Sequence, residues 1–291
     1  MKNFYRPSKI TFGCEPLGGT DWGDISLNKI EIAINKALDI GVNSFDTAAV
    51  YGLGLSEKRL SKILGKKRHD LFIATKGGLK WTVGMKGTRA EILKDSSSKQ
   101  LTFDIKESLR RLNIDSIPLF YIHWPDKNQR IEESMYTLSK LKRDGLIQNI
   151  GLSNFNIELL KSAQKVCKVD YCQIPWNIIE QPSFELVNFC INNKIDIIVY
   201  NSLSSGLLTG KFKFHSKFPK NDRRSRLEIF KNKSVFDRID QLKKEAISER
   251  LTLTQYAIQK LWENKKISSI IVGIKNEQQL LENCSFLKKK I

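Results

Sequence analysis

The sequence predicts an α/β protein, a single eight-stranded parallel β/α (TIM) barrel that takes up residues 1–291. Strand-like and helix-like segments alternate along the whole chain, and no change in composition marks a second domain. Reactive side chains also follow directly after several predicted strands, at the edge of the sheet where ligands bind in such folds. The alternative is an open, doubly wound sheet, which is disfavoured because no G-x-G-x-x-G follows the first strand.

Eight short runs rich in apolar residues are predicted to be the barrel strands. The seventh, which reads I-D-I-I-V-Y, is the most strongly β-forming run in the chain. The predicted strands cover residues 10–12, 41–45, 71–75, 118–122, 148–152, 171–174, 195–200 and 269–272.

Apolar residues at helical spacing predict the helices between these strands. Gly65 ends the second helix, since glycine is favoured just beyond a helix C-terminus, and the serines at 96–98 begin the third. The helix ranges are 56–64, 157–166, 254–262 and 277–283, and further helices carry Ile30, Leu101, Met135, Leu186 and Ile239. Two long loops, around 77–95 and 201–234, interrupt the alternation.

The chain is strongly basic, with a formal net charge of +18. A charge of this size raises the question of a nucleic-acid or membrane partner. The Lys and Arg residues are nevertheless scattered, apart from short runs at 66–68, 223–224 and 288–290. A lysine-rich surface with a few cations for an anionic cofactor is the simpler explanation, so we expect neither nucleic acid nor a membrane as a partner.

Cysteine usage and the N-terminal residues favour a reducing, cytoplasmic location. The five cysteines are odd in number and form no C-x-x-C, so they predict neither a disulfide framework nor a metal site. The N-terminus lacks the apolar stretch of a signal peptide. No apolar run approaches the ~18 residues that a membrane-spanning helix needs. The sequence points to no particular oligomeric state.

Four reactive side chains lie at or just beyond the ends of three predicted strands. Asp46 ends the second strand and Tyr51 follows in the next loop, whereas Lys76 and His123 end the third and fourth strands. Because the carboxyl ends of parallel strands share one rim, we expect these four side chains to converge. Each has a simpler explanation on its own: a helix cap for Asp46, a loop aromatic, a solvated lysine and a structural histidine.

Together, the four groups would polarise a carbonyl group. A tyrosine can protonate a carbonyl oxygen, but its pKa of ~10 matches that task poorly near neutrality. An ammonium ~4 Å away stabilises the phenolate by at most about 4 kcal/mol, or ~3 pKa units, at an effective dielectric constant of about 20. We therefore expect Lys76 to lower the pKa of Tyr51, Asp46 to hold Lys76, and His123 to orient the substrate oxygen. The set then requires a hydride donor.

The sequence resembles the aldo-keto reductase family over nearly its whole length. The residues that carry the resemblance are F-D-T-A at 45–48 followed by Tyr51-Gly52, I-A-T-K at 73–76 and I-H-W-P-D at 122–126. The resemblance implies that Asp46, Tyr51, Lys76 and His123 are the catalytic tetrad, with Tyr51 as the general acid. It also implies that the chain reduces a small-molecule aldehyde or ketone, sugar-derived carbonyl compounds included, with NADPH.

Residues on later strands resemble the part of the family that binds the nicotinamide. G-L-S-N-F at 151–155 is similar to the family's G-x-S-N-F, in which Ser153 and Asn154 would bind the carboxamide. Gln173 corresponds to a third amide contact, and Tyr200 to the aromatic residue that stacks on the nicotinamide ring. The alternative for Ser153 and Asn154 is an N-cap pair for the following helix.

The segment after Tyr200 resembles the family's loop for the cofactor phosphates. Asn201-Ser202-Leu203 replaces the usual Ser-Pro-Leu, and the missing proline leaves one more backbone N–H free. In S-S-G-L-L-T-G-K at 204–211, small residues would let backbone N–H groups approach phosphates. The alternative is a flexible loop. The resemblance implies cofactor contacts at Asn201, Leu203, Gly206, Leu208 and Gly210.

The residues after the eighth strand resemble those that bind the adenosine half of the cofactor. The implied contacts are Gly273, Lys275, Gln279 and Asn283, and Lys275 would meet the phosphate on the adenosine ribose. Lysine here is a point charge where the family often has the bidentate fork of arginine. We therefore expect NADPH rather than NADH, whereas a solvated surface charge is the alternative for Lys275.

Aromatic residues on the loops at the predicted catalytic face could line a substrate pocket. These are Trp22, Trp81 and Trp124, and core packing is the alternative for each of them. The basic loop 212–233 could fold over the cofactor or be solvated.

Two other classes of function are alternatives to an enzyme. The first is an NADP(H)-binding regulatory subunit with little or no turnover, which the complete tetrad disfavours. The second is nucleic-acid binding, which would show as tight, salt-dependent binding to duplex DNA.

Overall fold

The computed structural model describes residues 6–82 and 90–285. Ten strands in this part of the chain form two sheets. The strands are β1 (Ile10–Gly13), β2 (Ser44–Asp46), β3 (Phe72–Gly77), β4 (Leu79–Trp81), β5 (Ile92–Lys94), β6 (Leu119–Ile122), β7 (Ile150–Ser153), β8 (Tyr171–Pro175), β9 (Asp196–Tyr200) and β10 (Ser269–Gly273).

Eight of these strands close into a parallel barrel in the order β1-β10-β9-β8-β7-β6-β3-β2. β1 pairs with β10 on one side and with β2 on the other, which completes the ring. The predicted barrel is therefore confirmed, and every predicted strand overlaps its observed counterpart. The largest shift is in β2, which begins at Ser44 rather than at residue 41 because Gly41, with φ +82, still belongs to the turn that ends the preceding helix.

Nine α-helices in the described part surround the barrel, and most begin at a side chain that caps their first turn. Ser97 accepts a hydrogen bond from the backbone N–H of Gln100, and Thr252 forms a reciprocal capping box with Gln255. The helices are α1 (Leu27–Asp39), α2 (Leu55–Leu64), α3 (Ser98–Leu112), α4 (Ile131–Arg143), α5 (Ile157–Val166), α6 (Phe184–Asn192), α7 (Lys233–Ser248), α8 (Leu253–Glu263) and α9 (Glu277–Asn283). None of the helices described here combines the length and apolarity that a membrane crossing requires.

The barrel interior is filled by side chains from alternate positions of the strands. Tyr121 lies at its centre and packs against Gly151 on the neighbouring strand, where a Cβ would come within 2.3 Å of the Tyr121 ring. Only glycine therefore fits at this position. The other buried side chains of the interior are Phe72, Ala74, Leu119, Tyr171, Ile198 and Ile271.

The first long loop contains structure that the sequence analysis did not predict. β4 and β5 pair as an antiparallel two-stranded sheet, in which Leu79 lies opposite Lys94 and Trp81 lies opposite Ile92. The predicted long loop around 77–95 therefore contains two strands, which the sequence did not indicate because each is only three residues long and too short to show a period of two. The predicted loop glycines at 84 and 87 lie outside the described residues.

The second long loop, 201–234, is also ordered. It contains three short 3-10 helices, at Ser204–Thr209, Arg223–Arg226 and Glu228–Lys231. Phe212, Phe218 and Phe230 pack edge to face within it, with ring centroids 4.8–5.7 Å apart. This aromatic cluster joins a small core with α7 and α8, so the loop is held against the barrel by apolar packing.

Candidate active site

A buried ion pair between Lys76 and Asp46 lies inside the carboxyl rim of the barrel. Lys76 Nζ is 2.5 Å from Asp46 Oδ1 and donates a second hydrogen bond, of 2.8 Å, to the Thr47 carbonyl oxygen. The two residues lie on adjacent strands, and Lys76 follows Ala74 on the inward-facing side of β3. Lys76 is only 1% exposed, so its position is fixed by these two acceptors.

Tyr51 and His123 complete the predicted group of four. The Lys76 ammonium lies 5.1 Å from the centroid of the Tyr51 ring. The imidazole of His123 meets the same ring edge to face, with centroids 5.9 Å apart. The structure therefore brings together four side chains that come from three strand ends and are as far as 77 residues apart in sequence.

The loop that carries Tyr51 is held by contact between two glycines. Gly52 has φ +59, and a Cβ at this position would lie 2.2 Å from the carbonyl oxygen of Gly18. A side chain would therefore be strained and would also push the two loops apart. Glycine at position 52 allows the loop after β2 to pack against the loop after β1, which fixes the backbone at Tyr51.

Burial raises the pKa of Tyr51 well above its ordinary value, and the negative charges of Glu15 and Asp46 add to this effect. The sequence analysis expected Lys76 to lower this pKa, and the direction in this structure is the opposite. The physical reason is that burial takes the phenolate out of water, and this cost, together with the charges of Glu15 and Asp46, outweighs the effect of the nearby ammonium. Tyr51 is therefore held in its protonated form.

His123 is held as a neutral imidazole. Burial lowers the pKa of this side chain well below its usual value, and the charge of Lys76 lowers it further. His123 Nδ1 is buried and has no hydrogen-bond partner among the described residues. A neutral imidazole can donate one hydrogen bond and accept one, and it carries no proton that it would release near pH 7.

Glu15 is a charged residue of the site that the sequence analysis missed. It follows β1 by two residues and lines the same cavity as Tyr51. Its Oε1 atom accepts a 2.8 Å hydrogen bond from Arg223 Nη1, and burial raises the pKa of its carboxyl. The indole of Trp22 lies close enough to lower that pKa, although its Nε1 atom makes no well-aligned hydrogen bond with any described residue. Glu15, like Asp46, is a reactive side chain at or just beyond the end of a predicted strand. The same search for reactive residues at strand ends could therefore have found it.

The predicted nicotinamide residues form a continuous hydrogen-bonded chain. Tyr200 Oη donates to Asn154 Oδ1 at 2.5 Å, and Asn154 Nδ2 donates to Ser153 Oγ at 3.1 Å. Ser153 Oγ in turn donates to Gln173 Oε1 at 3.1 Å, and Gln173 Nε2 donates to Asp46 Oδ2 at 2.9 Å. These residues are therefore connected directly to the Lys76–Asp46 ion pair.

One cavity of about 1340 Å³ opens on this rim. Most of the predicted site residues line it: Asp46, Tyr51, His123, Ser153, Asn154, Gln173, Tyr200, Asn201, Leu203, Gly206, Gly273, Lys275, Gln279, Asn283, Trp22 and Trp124. Four predicted residues lie outside its wall. Lys76 lies beneath Asp46, Trp81 is in the β4–β5 hairpin, the Leu208 side chain is buried in the core under the loop, and Gly210 follows it.

The loop 201–234 crosses one side of the cavity and is joined to the loop after β1. Arg223 binds Glu15, and Arg226 Nη2 donates to Asp21 Oδ1 at 2.9 Å. Arg224 lines the cavity together with Lys275. Lys275 Nζ donates a 2.5 Å hydrogen bond to the carbonyl oxygen of Trp22. These contacts hold the loop against the cavity and place Arg223, Arg224, Arg226 and Lys275 along its wall. Folding of the loop over the cofactor stays a prediction.

Unpaired polar groups are concentrated in this cavity. Among the described residues, five buried side-chain N or O atoms lack a hydrogen-bond partner, and four of them belong to residues that line it. The four are Trp22 Nε1, His123 Nδ1, Ser204 Oγ and Thr254 Oγ1. Buried polar groups in native proteins are almost always paired with protein, ligand or water, so these four atoms are available to polar groups that enter the cavity.

Comparisons with known proteins agree with this geometry. The model of the Aldo/keto reductase family matches residues 9–291. Aldo-keto reductase YhdN of Bacillus subtilis is 34% identical over 75% of this chain, and the match spans only 65% of that relative. Aldo-keto reductase yakc [NADP(+)] of Schizosaccharomyces pombe is 28% identical over 97% of this chain and 84% of its own length. The structure of the glycerol dehydrogenase AKR11B4 from Gluconobacter oxydans superposes with a TM-score of 0.85 at 30% identity, covering 97% of this chain and 90% of that one.

Proposed function

Because the chain belongs to the aldo/keto reductase family, we propose that it is an NADPH-dependent reductase of small aldehydes and ketones. Tyr51 is the general acid of this reaction. The observation that carries the proposal is the convergence of Tyr51, Lys76, Asp46 and His123 at one end of a cavity whose walls hold polar groups without partners.

The residues that line the cavity fit a nicotinamide dinucleotide. The ring of Tyr200 offers a stacking face at the catalytic end, beside the amides of Asn154 and Gln173. Further along, Arg224 and Lys275 provide positive charge for phosphates. When bound, the reduced nicotinamide supplies the hydride for the carbonyl carbon.

The side chains of the rim handle the proton. Burial favours the protonated form of Tyr51, which donates its phenolic proton to the oxygen of the carbonyl group as negative charge develops there. The Lys76 ammonium, 5.1 Å from the ring centroid, stabilises the phenolate that forms. Asp46 holds Lys76 in place, and the neutral imidazole of His123 can orient the carbonyl oxygen without competing as an acid.

The reaction is tested by following NADPH consumption with a panel of aldehydes and ketones. Replacement of Tyr51 by Phe removes the acid, and we expect the rate to fall by about two to four orders of magnitude. The affinity for NADPH should stay close to that of the wild type. Full activity in this variant would refute the assignment of Tyr51.

The choice of NADPH over NADH is based on Lys275 and the neighbouring cations. Relatives differ in this respect, since the NADH-specific methylglyoxal reductase of Escherichia coli is 27% identical to this chain. Lys275 and Arg224 both line the cavity, and a phosphate on the adenosine ribose would meet at least one of them. Dissociation constants of the two cofactors test the proposal, and tighter binding of NADH would overturn it.

A second candidate function is a cofactor-binding regulatory subunit with little turnover. A probable voltage-gated potassium channel subunit beta of Arabidopsis thaliana is 29% identical to this chain, which is the observation that favours it. The complete set of four rim residues favours the enzyme instead. Cofactor binding without turnover of any compound in the carbonyl panel would support the subunit.

A further inference from the structure

We infer that Ser204 and Thr254 are direct contact residues for the dinucleotide, Ser204 at a phosphate and Thr254 at the adenosine. The inference rests on the proposed function. Ser204 lies in the segment 204–211 that resembles the family's phosphate loop, whereas no sequence motif indicated Thr254 as a contact. Ser204 is 1% exposed and Thr254 is 2% exposed. The hydroxyl of each residue has no hydrogen-bond partner among the described residues, and both residues line the cavity.

An unpaired buried hydroxyl is unfavourable for the protein without ligand. Serine and threonine hydroxyls can rotate freely about one bond, and they usually reach a nearby backbone carbonyl. Elsewhere in this chain they do so, since Thr137 Oγ1 donates to the Glu133 carbonyl oxygen at 3.0 Å and Ser61 Oγ donates to that of Leu112 at 2.7 Å. Ser204 and Thr254 make no such bond among the described residues, so both hydroxyls are available to a group that enters the cavity.

The position of Ser204 assigns it to a phosphate. It lies in the turn after β9, where Asn201, Ser204 and Ser205 all have positive φ angles. Such strained backbone is concentrated at functional sites. A Cβ built on Gly206, two residues further on, would lie 3.9 Å from Arg224 Nη1. A hydroxyl, a glycine and a guanidinium therefore lie together, which suits an anionic oxygen.

The position of Thr254 assigns it to the adenosine. It lies in the first turn of α8, which packs against both the turn Ser204–Thr209 and α9. The start of α8 is joined to α9 by a 2.9 Å hydrogen bond from Thr252 Oγ1 to Glu282 Oε1. α9 also carries Gln279 and Asn283, the two residues proposed to contact the adenine side. Thr254 thus lies at the end of the cavity remote from Tyr51.

The test compares Thr254→Val with wild type, because valine keeps the shape of threonine and removes only the hydroxyl. Calorimetry measures the dissociation constants of NADPH and of adenosine 2′,5′-bisphosphate, which contains the adenosine half alone. We expect both ligands to bind about fivefold more weakly, the effect of one lost hydrogen bond. The ligand-free variant should melt at the same temperature as wild type or higher, because the hydroxyl has no partner to lose.

Thr137→Val is the matched control, since its hydroxyl is paired and far from the cavity in the fold. This variant should melt at a lower temperature and bind NADPH as tightly as wild type. Ser204→Ala should weaken the binding of NADPH by about the same factor as Thr254→Val does.

Three outcomes decide against the inference, and they have different meanings. Unchanged affinity of Thr254→Val for both ligands overturns the assignment of Thr254. A lower melting temperature of ligand-free Thr254→Val, together with weaker binding of the ligands, indicates that the Thr254 hydroxyl has a structural role instead. A wild-type chain that binds neither ligand overturns the proposed function as well.

Discussion

Gln173 Nε2 donates a 2.9 Å hydrogen bond to Asp46 Oδ2, while the other oxygen of the same carboxylate binds Lys76. Asp46 is 4% exposed and Gln173 is 3% exposed. The residue proposed to contact the nicotinamide therefore also donates to the carboxylate that is paired with Lys76, the residue proposed to stabilise the phenolate. The cofactor half and the proton-donating half of the site share one hydrogen-bonded network.

The first prediction follows from this bond. Replacement of Gln173 by Met leaves Asp46 Oδ2 buried without its donor, at a cost of about 1–3 kcal/mol. We expect the free energy of unfolding, measured with urea at pH 7, to fall by that amount. Ser153→Ala is the control, because it removes the donor to Gln173 and leaves the bond to Asp46 intact. Equal losses of unfolding free energy in the two variants would contradict a specific stabilising role for the bond from Gln173 to Asp46.

The second prediction concerns the buried ion pair. Lys76→Met leaves the Asp46 carboxylate without its counterion in the barrel interior, and breaking such a pair typically costs about 3–5 kcal/mol. The double variant Asp46→Asn with Lys76→Met has no unpaired charge, so it should recover part of that loss. Denaturant unfolding of the two single variants, Lys76→Met and Asp46→Asn, and of the double variant measures the coupling. If the loss of unfolding free energy in the double variant equals the sum of the two single losses, the two side chains do not interact across the 2.5 Å contact.

The fold and the convergence of the rim residues could be predicted because both depend on local patterns. An apolar run followed by a reactive side chain marks a strand end, and this pattern found Asp46, Lys76 and His123. The contact between Arg223 and Glu15 escaped prediction because the two residues lie 208 positions apart in sequence. Thr254 escaped because nothing in a sequence shows that a hydroxyl lacks a partner. That property depends on the packing of α8 against two other elements.

The third prediction concerns Glu15 and the pH dependence of catalysis. The carboxylate of Glu15 raises the pKa of Tyr51, whereas Arg223 lowers it. Glu15→Gln removes the negative charge and frees Arg223, so both changes lower the pKa of Tyr51. Reduction requires the protonated phenol, so the alkaline decline in rate should begin at lower pH in this variant. Rates measured between pH 7 and 11 test this, and Glu15→Asp, which keeps the charge, should retain the wild-type decline.

The fourth prediction concerns Asp104, a buried carboxyl behind the strand that carries Lys76. Its Oδ2 atom accepts a 2.8 Å hydrogen bond from the Gly78 N–H, and its Oδ1 atom accepts one of 2.7 Å from Gln100 Nε2. Burial outweighs these bonds and raises the pKa of Asp104 to about 6. The folded protein therefore binds this proton more tightly than the unfolded chain does.

The sign of the effect follows from linkage. Protonation of Asp104 stabilises the fold fully below the unfolded pKa of about 4, and this stabilisation is lost as the pH rises through about 6. Asp104→Asn cannot ionise, and its side-chain oxygen can still accept the Gly78 N–H. Between pH 5 and 8, the wild type should therefore lose about 1 kcal/mol of unfolding free energy relative to this variant. Urea unfolding at the two pH values measures the difference.

Asp115→Asn, at an exposed position, serves as the control and should show no such change. A pH-independent difference between Asp104→Asn and wild type would mean that Asp104 titrates alike in the folded and unfolded chains, and burial behind β3 would then not control its charge.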